Sequence, residues 1–75
     1  MKEYEVMREI YNSCAGKWEL DNAFTREIET DDIEKELAAW YSGKLPPHQV
    51  DTRPDGTIIY TQDPPTRERY FFSEF

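Results

Sequence analysis

The sequence predicts an α+β domain: a small antiparallel sheet in the order β-β-α-β-β-β with one helix packed on one face. Three observations support this class. Two N-terminal stretches alternate between apolar and charged residues with the period of two that strands show. Residues 31–43 carry apolar residues at helical spacing and end on a glycine. From residue 48 onwards, short β-type segments alternate with turn-forming Pro and Gly.

Residues 3–12 predict the first strand. Alternation places an acidic set of side chains on one side and a mostly apolar set on the other, the latter being Tyr4, Val6, Arg8 and Ile10. Helical spacing also relates Tyr4, Met7 and Tyr11, so a helix over the same segment stays open as an alternative.

The second strand is expected to follow after a loop. Residues 12–22 (NSCAGKWELDN) are rich in turn formers and predict that loop, and residues 23–30 alternate again. A register pairing residues whose numbers sum to 34 would set Arg8 opposite Arg26, a like-charge pair that costs stability. We therefore expect a sum of 32 or 36. The two arginines either lie along apolar surface with their heads in water or form a clamp for an anion or a carboxylate.

The helix is predicted from its ends and its stripe. Asp31 can cap the N-terminus, with Glu34 three residues later. Gly43 suits a left-handed C-terminal cap, and the prolines that follow bar continuation. One apolar stripe is expected to face the sheet, formed by Ile33, Leu37, Trp40 and Tyr41.

The C-terminal part predicts three short strands. The turn RPDG at residues 53–56 joins strands at 48–53 and 57–62, because Pro presets φ and Gly accepts a positive φ. The segment DPPT at 63–66 predicts a second turn, and residues 67–75 form the last strand.

Size and charge limit the functions to consider. The 75 residues predict a single domain, 1–75, and 9 basic against 16 acidic residues give a net charge of −7. A negative field repels phosphate backbones, so direct nucleic-acid binding is not expected. No apolar run reaches the roughly 20 residues of a membrane span, and Met1 leads directly into charged residues rather than a signal peptide. We therefore expect a cytoplasmic protein without membrane contact.

Catalytic chemistry finds little support in the sequence. A nucleophilic cysteine needs a nearby base, and the only histidine, His48, lies far along the chain from Cys14. One Cys and one His cannot build a zinc site. The acidic run of residues 27–36 lacks the spacing of a calcium loop and is expected to be a solvated surface. We expect no catalytic, cofactor-binding or metal-binding residues, and no enzymatic activity.

The aromatic residues suggest an interaction surface instead. Phe71 and Phe75 alternate with Tyr70 and Phe72 along the last strand, so the two sets point to opposite faces of the sheet. If both faces are apolar, one set lies either under the helix or exposed to solvent. An exposed set would bind another protein or form a homodimer through the C-terminal strand. The candidate surface residues are Phe71, Phe75, Glu27, Glu29 and Glu34. The alternative function is an acidic nucleic-acid mimic that inhibits a DNA-binding protein, with the carboxylates standing in for phosphates.

Four segments together resemble a known group of proteins: YEVMREIYNSCAG at 4–16, EIETDD at 27–32, RPDGTIIY at 53–60 and RYFFSEF at the end. The chain is similar over nearly its whole length to short uncharacterised proteins of gut Firmicutes, often encoded in conjugative or other mobile elements. The segment KWELDNAF at 17–24 departs from that pattern. The resemblance implies a cytoplasmic protein in a mobile-element setting and no assigned activity, cofactor or site residue.

Overall fold

The computed structural model describes residues 1–64 and 67–74. Within these ranges the elements follow the predicted order β-β-α-β-β-β, which confirms an α+β arrangement of one antiparallel sheet with a short helix. The elements are β1 (Lys2–Asn12), β2 (Lys17–Thr30), α1 (Ile33–Ala39), β3 (His48–Thr52), β4 (Ile58–Gln62) and β5 (Glu68–Glu74).

The sheet order is β2-β1-β5-β4-β3, so the last strand lies at the centre. β5 is paired on one side with β1 and on the other with β4, both antiparallel. The edges of the sheet are therefore β2 and β3. A homodimer through β5 cannot use backbone pairing and is left with the side chains of that strand.

From Lys2 to Met7 of β1, the numbers of paired residues in the first hairpin sum to 32, as predicted, and Val6 lies opposite Arg26. The register then shifts: Met7 opposes Thr25, but Glu9 opposes Leu20. The four residues 21–24 of β2 thus lie opposite Arg8 alone, which forms a wide bulge. The sum of 32 places Arg26 opposite Val6, so Arg8 and Arg26 are not directly opposed.

The prediction of a loop over residues 12–22 is wrong. The turn is confined to residues 13–16, and Lys17–Asn22 belong to β2. Asn12 closes this turn, since its side-chain Oδ1 accepts the backbone N–H of Cys14 at 3.0 Å and its carbonyl accepts that of Gly16 at 2.8 Å. Gly16 takes a φ of +67°, which suits glycine. Residues 2–12 are a strand, so the open helical alternative is excluded.

The helix begins one residue later than predicted. Asp32, not Asp31, is the N-cap, and its Oδ1 accepts the N–H of Lys35 at 3.2 Å. Thr30 holds this cap, because its Oγ1 accepts the N–H of Asp32 at 3.0 Å. The helix ends at Ala39 with Trp40 as its C-cap, three residues before the predicted cap at Gly43. Gly43 does take a positive φ of +88°, and its N–H reaches the Ala38 carbonyl at 2.9 Å in the turn that follows.

The core is small and aromatic. The buried hydrophobic side chains are Tyr4, Val6, Leu37, Tyr60, Tyr70 and Phe72. The rest of the predicted helix stripe packs against this cluster, as do Phe24, Ile28, Leu45 and Ile58. Trp40 stacks on Phe72 with the planes 18° apart and the centroids 6.4 Å apart, and Leu37 is fully buried.

The turn at residues 53–56 forms as predicted. The N–H of Gly56 reaches the Arg53 carbonyl at 2.9 Å, and the N–H of Thr57 reaches Asp55 Oδ1 at 2.9 Å. The turn predicted at 63–66 lies partly outside the described residues. Across residues 1–64 and 67–74, no helix has the length and apolar character needed to cross a membrane.

Candidate interaction surface

One face of the sheet carries an apolar row that runs across its three central strands. Directly opposed residues of an antiparallel pair share a face. Met7 lies opposite Phe71, which in turn lies opposite Ile59. We call the side with this apolar row the outer face. The buried side chains of Tyr4, Val6, Tyr70 and Phe72 alternate with these residues and point to the inner face.

The apolar row is partly open to solvent. Met7 is 38% exposed, and Leu20, which the bulge brings to the same face, is 45% exposed. A shallow depression of about 390 Å³ is lined by these two side chains and by Phe71, Arg53 and Asp55, among others. Exposed apolar side chains that form a contiguous patch are typical of protein-binding surfaces.

Arginine side chains lie against the aromatic rings of the outer face. The guanidinium carbon of Arg69 is 4.3 Å from the ring centroid of Trp18 and 5.4 Å from that of Phe71. The guanidinium carbon of Arg53 lies 5.2 Å from the ring centroid of Phe71. Glu9 fixes Arg69 by accepting its Nε–H at 3.0 Å. These contacts half-bury Phe71 and hold its ring in place.

Four exposed glutamates lie at one corner of the outer face. Glu3 is opposite Glu29 and Glu5 is opposite Glu27 in the β1–β2 ladder, and we call these four residues the acidic quartet. Among the residues that the structure describes, none of the four forms an ion pair. Like charges directly opposite in a sheet destabilise it, so the quartet is held at a cost in stability.

The structure brings together only part of the predicted surface. Phe71 shares the outer face with Glu27 and Glu29. Glu34 lies apart from them on α1, where its Oε1 is 3.8 Å from Nε2 of His48. Phe75 lies outside the described residues. Trp18 and Leu20 are not among the predicted surface residues, because the turn formers around them predict a loop. Their alternation with charged neighbours is the signal of a strand.

A second polar cluster lies on the inner side of the sheet. The Tyr41 hydroxyl donates to Glu68 Oε1 at 2.6 Å, and the hydroxyls of Tyr41 and Tyr70 are 2.7 Å apart. Burial, and then the hydrogen bond with Glu68, raises the pKa of Tyr41 far above its ordinary value. Arg8 joins the cluster through Nη1, which is 3.5 Å from Glu68 Oε2. Tyr41 therefore stays protonated and acts as a hydrogen-bond donor.

Arg8 is held by carboxylates rather than left to bind an anion. Its Nε donates to Asp21 Oδ2 at 3.0 Å, and its guanidinium carbon lies 4.6 Å from the ring centroid of Phe24. Burial is the largest single effect and opposes the charge, but the hydrogen bonds with Asp21 and Tyr70 and the nearby Glu68 carboxylate together raise the pKa of Arg8 above its ordinary value. Arg26 is exposed and lies over Phe24 at 4.9 Å, in line with the prediction of a stem on apolar surface. Arg8 thus holds carboxylates of the chain itself, whereas Arg26 lies on apolar surface, so the two arginines do not act on one carboxylate together.

The remaining candidates for chemistry lie apart. Cys14 is exposed in the turn between β1 and β2. Gln62 is 2% exposed, and its Nε2 has no hydrogen-bond partner among the described residues. No group of three or more His, Cys, Asp or Glu side chains in the described part of the chain could hold a metal ion.

Comparison with known proteins adds no assignment: no protein-family model, curated protein or solved structure matches this chain. The candidate surface is therefore characterised by its geometry alone.

Proposed function

We propose that the chain is a non-enzymatic cytoplasmic protein that acts by binding another protein through its outer face. The observation that carries this proposal is the solvent-accessible apolar row of Met7, Phe71 and Ile59, bordered by Leu20. Binding of a partner to this patch removes apolar surface from water, which favours the complex. The proposal includes a bacterial, mobile-element setting, which depends on the resemblance of the four sequence segments alone.

The position of the helix supports the choice of this face. Trp40 contacts Phe72 and Tyr70, and Leu37 belongs to the cluster that contains Val6. We infer from these contacts that α1 covers the inner face and leaves the outer face to a partner. A sheet with one face uncovered presents side chains in fixed positions, which lowers the entropy cost of binding.

Phe71 is the expected anchor of the interface. It lies in the middle of the row, and Arg69 and Arg53 hold its ring from neighbouring positions. Aromatic residues with restricted motion are enriched among the residues that dominate binding energies. Phe71→Ala is therefore expected to weaken partner binding at least tenfold, in the range of a binding hot spot.

The first experiment uses the tagged chain as bait in a nuclease-treated bacterial lysate, at low and at raised salt. A protein partner that is retained at raised salt, and lost with Met7→Ser or Phe71→Ala, supports the proposal. Ile10→Ser is the matched control, because Ile10 is similarly exposed at 40% but points to the inner face. Equal loss of the partner with the control contradicts the use of the outer face.

The acidic quartet favours a second candidate function, the acidic mimic of nucleic acid. Its four exposed carboxylates form two opposed pairs, with Cβ atoms about 5 Å apart across the strands. Such a surface would attract the basic binding surface of a DNA-binding protein, and the affinity would fall as salt rises.

Two double variants separate the candidates. Glu27→Gln with Glu29→Gln halves the charge of the quartet, whereas Glu34→Gln with Glu36→Gln removes the same charge from α1. Mimicry requires that the first pair weakens binding of a DNA-binding protein and that the second pair does not. Binding that withstands both pairs but not Phe71→Ala leaves the apolar row as the interface.

A further inference from the structure

Among residues 1–64 and 67–74, no strand pairs with the outer edge of β3. The N–H of Asp63 bonds the Pro47 carbonyl at 2.9 Å, and the N–H of Arg53 bonds the Thr57 carbonyl at 2.8 Å. Because backbone groups alternate in direction along an antiparallel strand, the odd-numbered residues of β3 face β4. His48, Val50 and Thr52 therefore direct their N–H and C=O groups away from the sheet.

We propose that this edge pairs antiparallel with the same edge of a second copy of the chain, with Val50 opposite Val50 on a twofold axis. His48 then lies opposite Thr52 of the second copy on either side. All three pairs are of the hydrogen-bonded type, and each exchanges two bonds, so the junction gains about six backbone hydrogen bonds. Val50 is 47% exposed, which leaves its position open to a second strand.

The side chains between these pairs are complementary in this register. Gln49 lies opposite Asp51 of the second copy, and the same pair recurs across the axis. The side-chain amide of Gln49 can donate a hydrogen bond to the Asp51 carboxylate. This hydrogen bond is stronger than one between neutral groups because its acceptor is charged.

The neighbouring registers are worse for identifiable reasons. A shift of two residues in one direction puts Asp51 opposite Asp51, a like-charge pair. A shift in the other direction brings Pro46 into the ladder, where it has no N–H to donate. The sequence around β3 therefore favours one pairing of the edge with itself.

Electrostatics favours this edge over the other edge of the sheet. The acidic quartet lies on β1 and β2, next to the β2 edge. Pairing through β2 would bring two quartets within roughly 10 Å of each other, about two strand spacings. Pairing through β3 separates them by about eight spacings, or roughly 40 Å, well beyond the Debye length of about 8 Å. Repulsion between the two quartets thus opposes the first dimer far more than the second.

The dimer would present two outer faces side by side. A twofold axis perpendicular to the sheet keeps both outer faces on the same side, so the dimer presents two apolar rows separated by Gln49 and Asp51 of the paired β3 strands, a bivalent arrangement. Pairing of a five-residue edge buries less surface than the roughly 800 Å² per partner that stable complexes bury. Association is therefore weak and reversible, and it rises with protein concentration.

The test is sedimentation equilibrium of the whole chain between about 10 µM and about 1 mM, the range in which small interfaces associate. Gln49→Asp places a carboxylate opposite Asp51 at two positions and should raise the dimer dissociation constant about fivefold or more. Asn22→Asp adds the same charge at an exposed position of β2 and is the matched control. The exchange variant Gln49→Asp with Asp51→Gln restores complementary pairs and should recover the original constant.

A second readout is amide hydrogen exchange at low and high concentration. Protection that appears at the N–H groups of His48, Val50 and Thr52 as concentration rises supports the pairing. A chain that stays monomeric at about 1 mM overturns the proposal. Equal dissociation constants for Gln49→Asp and Asn22→Asp also overturn it, as does an exchange variant that fails to recover.

Discussion

Arg8 donates its Nε–H to Asp21 at 3.0 Å from the strand opposite, across the bulge in β2. The bulge is what makes this contact available, since it inserts residues 21–24 where a regular strand would place one residue. The N–H of Ala23 bonds Asp21 Oδ1 at 3.1 Å and fixes the carboxylate from within the bulge. The Arg8–Asp21 ion pair therefore links β1 to β2 at the point where their register shifts.

Stability at acid pH should depend on Asp21. The hydrogen bond from Arg8 is the main reason that the pKa of Asp21 is lowered in the fold, against the opposing effect of burial. A carboxyl whose folded-state pKa lies below its unfolded value near 3.9 stabilises the fold above about pH 4. That contribution is lost as pH falls through the folded-state pKa. Asp21→Asn should lower stability at pH 7 and make the acid loss shallower in urea titrations.

The matched variant for this measurement is Asp31→Asn. Asp31 is 73% exposed and meets the N-terminal ammonium at 3.5 Å, without a part in the bulge. If both variants show the same pH dependence as the parent chain, the Arg8–Asp21 pair does not govern acid unfolding.

Leu37 should carry much of the attachment of the short helix. It is fully buried, whereas the other members of the stripe are only partly buried. Leu37→Ala removes buried methyl groups and leaves a cavity, which costs about 2–5 kcal/mol in unfolding free energy. Lys35→Ala, exposed on the same helix, should stay within about 0.5 kcal/mol. Equal effects of the two variants in urea unfolding would show that the helix contributes little through Leu37.

The features that the sequence could predict are governed by local rules. Strand alternation around Val6 and Arg26, the cost of an Arg8–Arg26 pair, and the Gly56 turn all depend on neighbouring residues or on one hairpin. The same holds for the positive φ of Gly43 in the turn after the helix. These features formed as expected because each has a low-energy local solution that tertiary packing does not oppose.

The features that could not be predicted depend on contacts far apart in sequence. The position of β5 between β1 and β4 is decided by which strands share the buried Phe72 and Tyr70, and composition does not encode that choice. The bulge reverses which residues of β2 face outward, so Leu20 joins Met7 only once the register is known. The outer face is therefore a product of tertiary pairing, and sequence reasoning found Phe71 alone of its apolar row.

The turn between β3 and β4 should depend on the backbone freedom of Gly56. Its φ is +93°, and a Cβ built there would meet nothing within 4 Å, so steric contact with neighbours is not at issue. Gly56→Ala should cost about 1–2 kcal/mol, because the positive φ strains an L side chain. Gly56→Asn should cost less, since Asn tolerates this region better. Equal losses for the two variants in urea unfolding would contradict backbone strain as the cause.

The acidic quartet should make stability rise with added salt. Glu5 and Glu27 are directly opposed and exposed, so Glu27→Gln should raise the unfolding free energy by about 0.2–1 kcal/mol at low ionic strength. The gain should shrink as salt approaches about 1 M, where the Debye length is about 3 Å. Glu36→Gln removes the same charge from the first turn of α1, where a carboxylate is favourable, and should not raise stability. If both variants stabilise the chain equally, relief of the overall charge of −7, rather than of the Glu5–Glu27 pair, explains the effect.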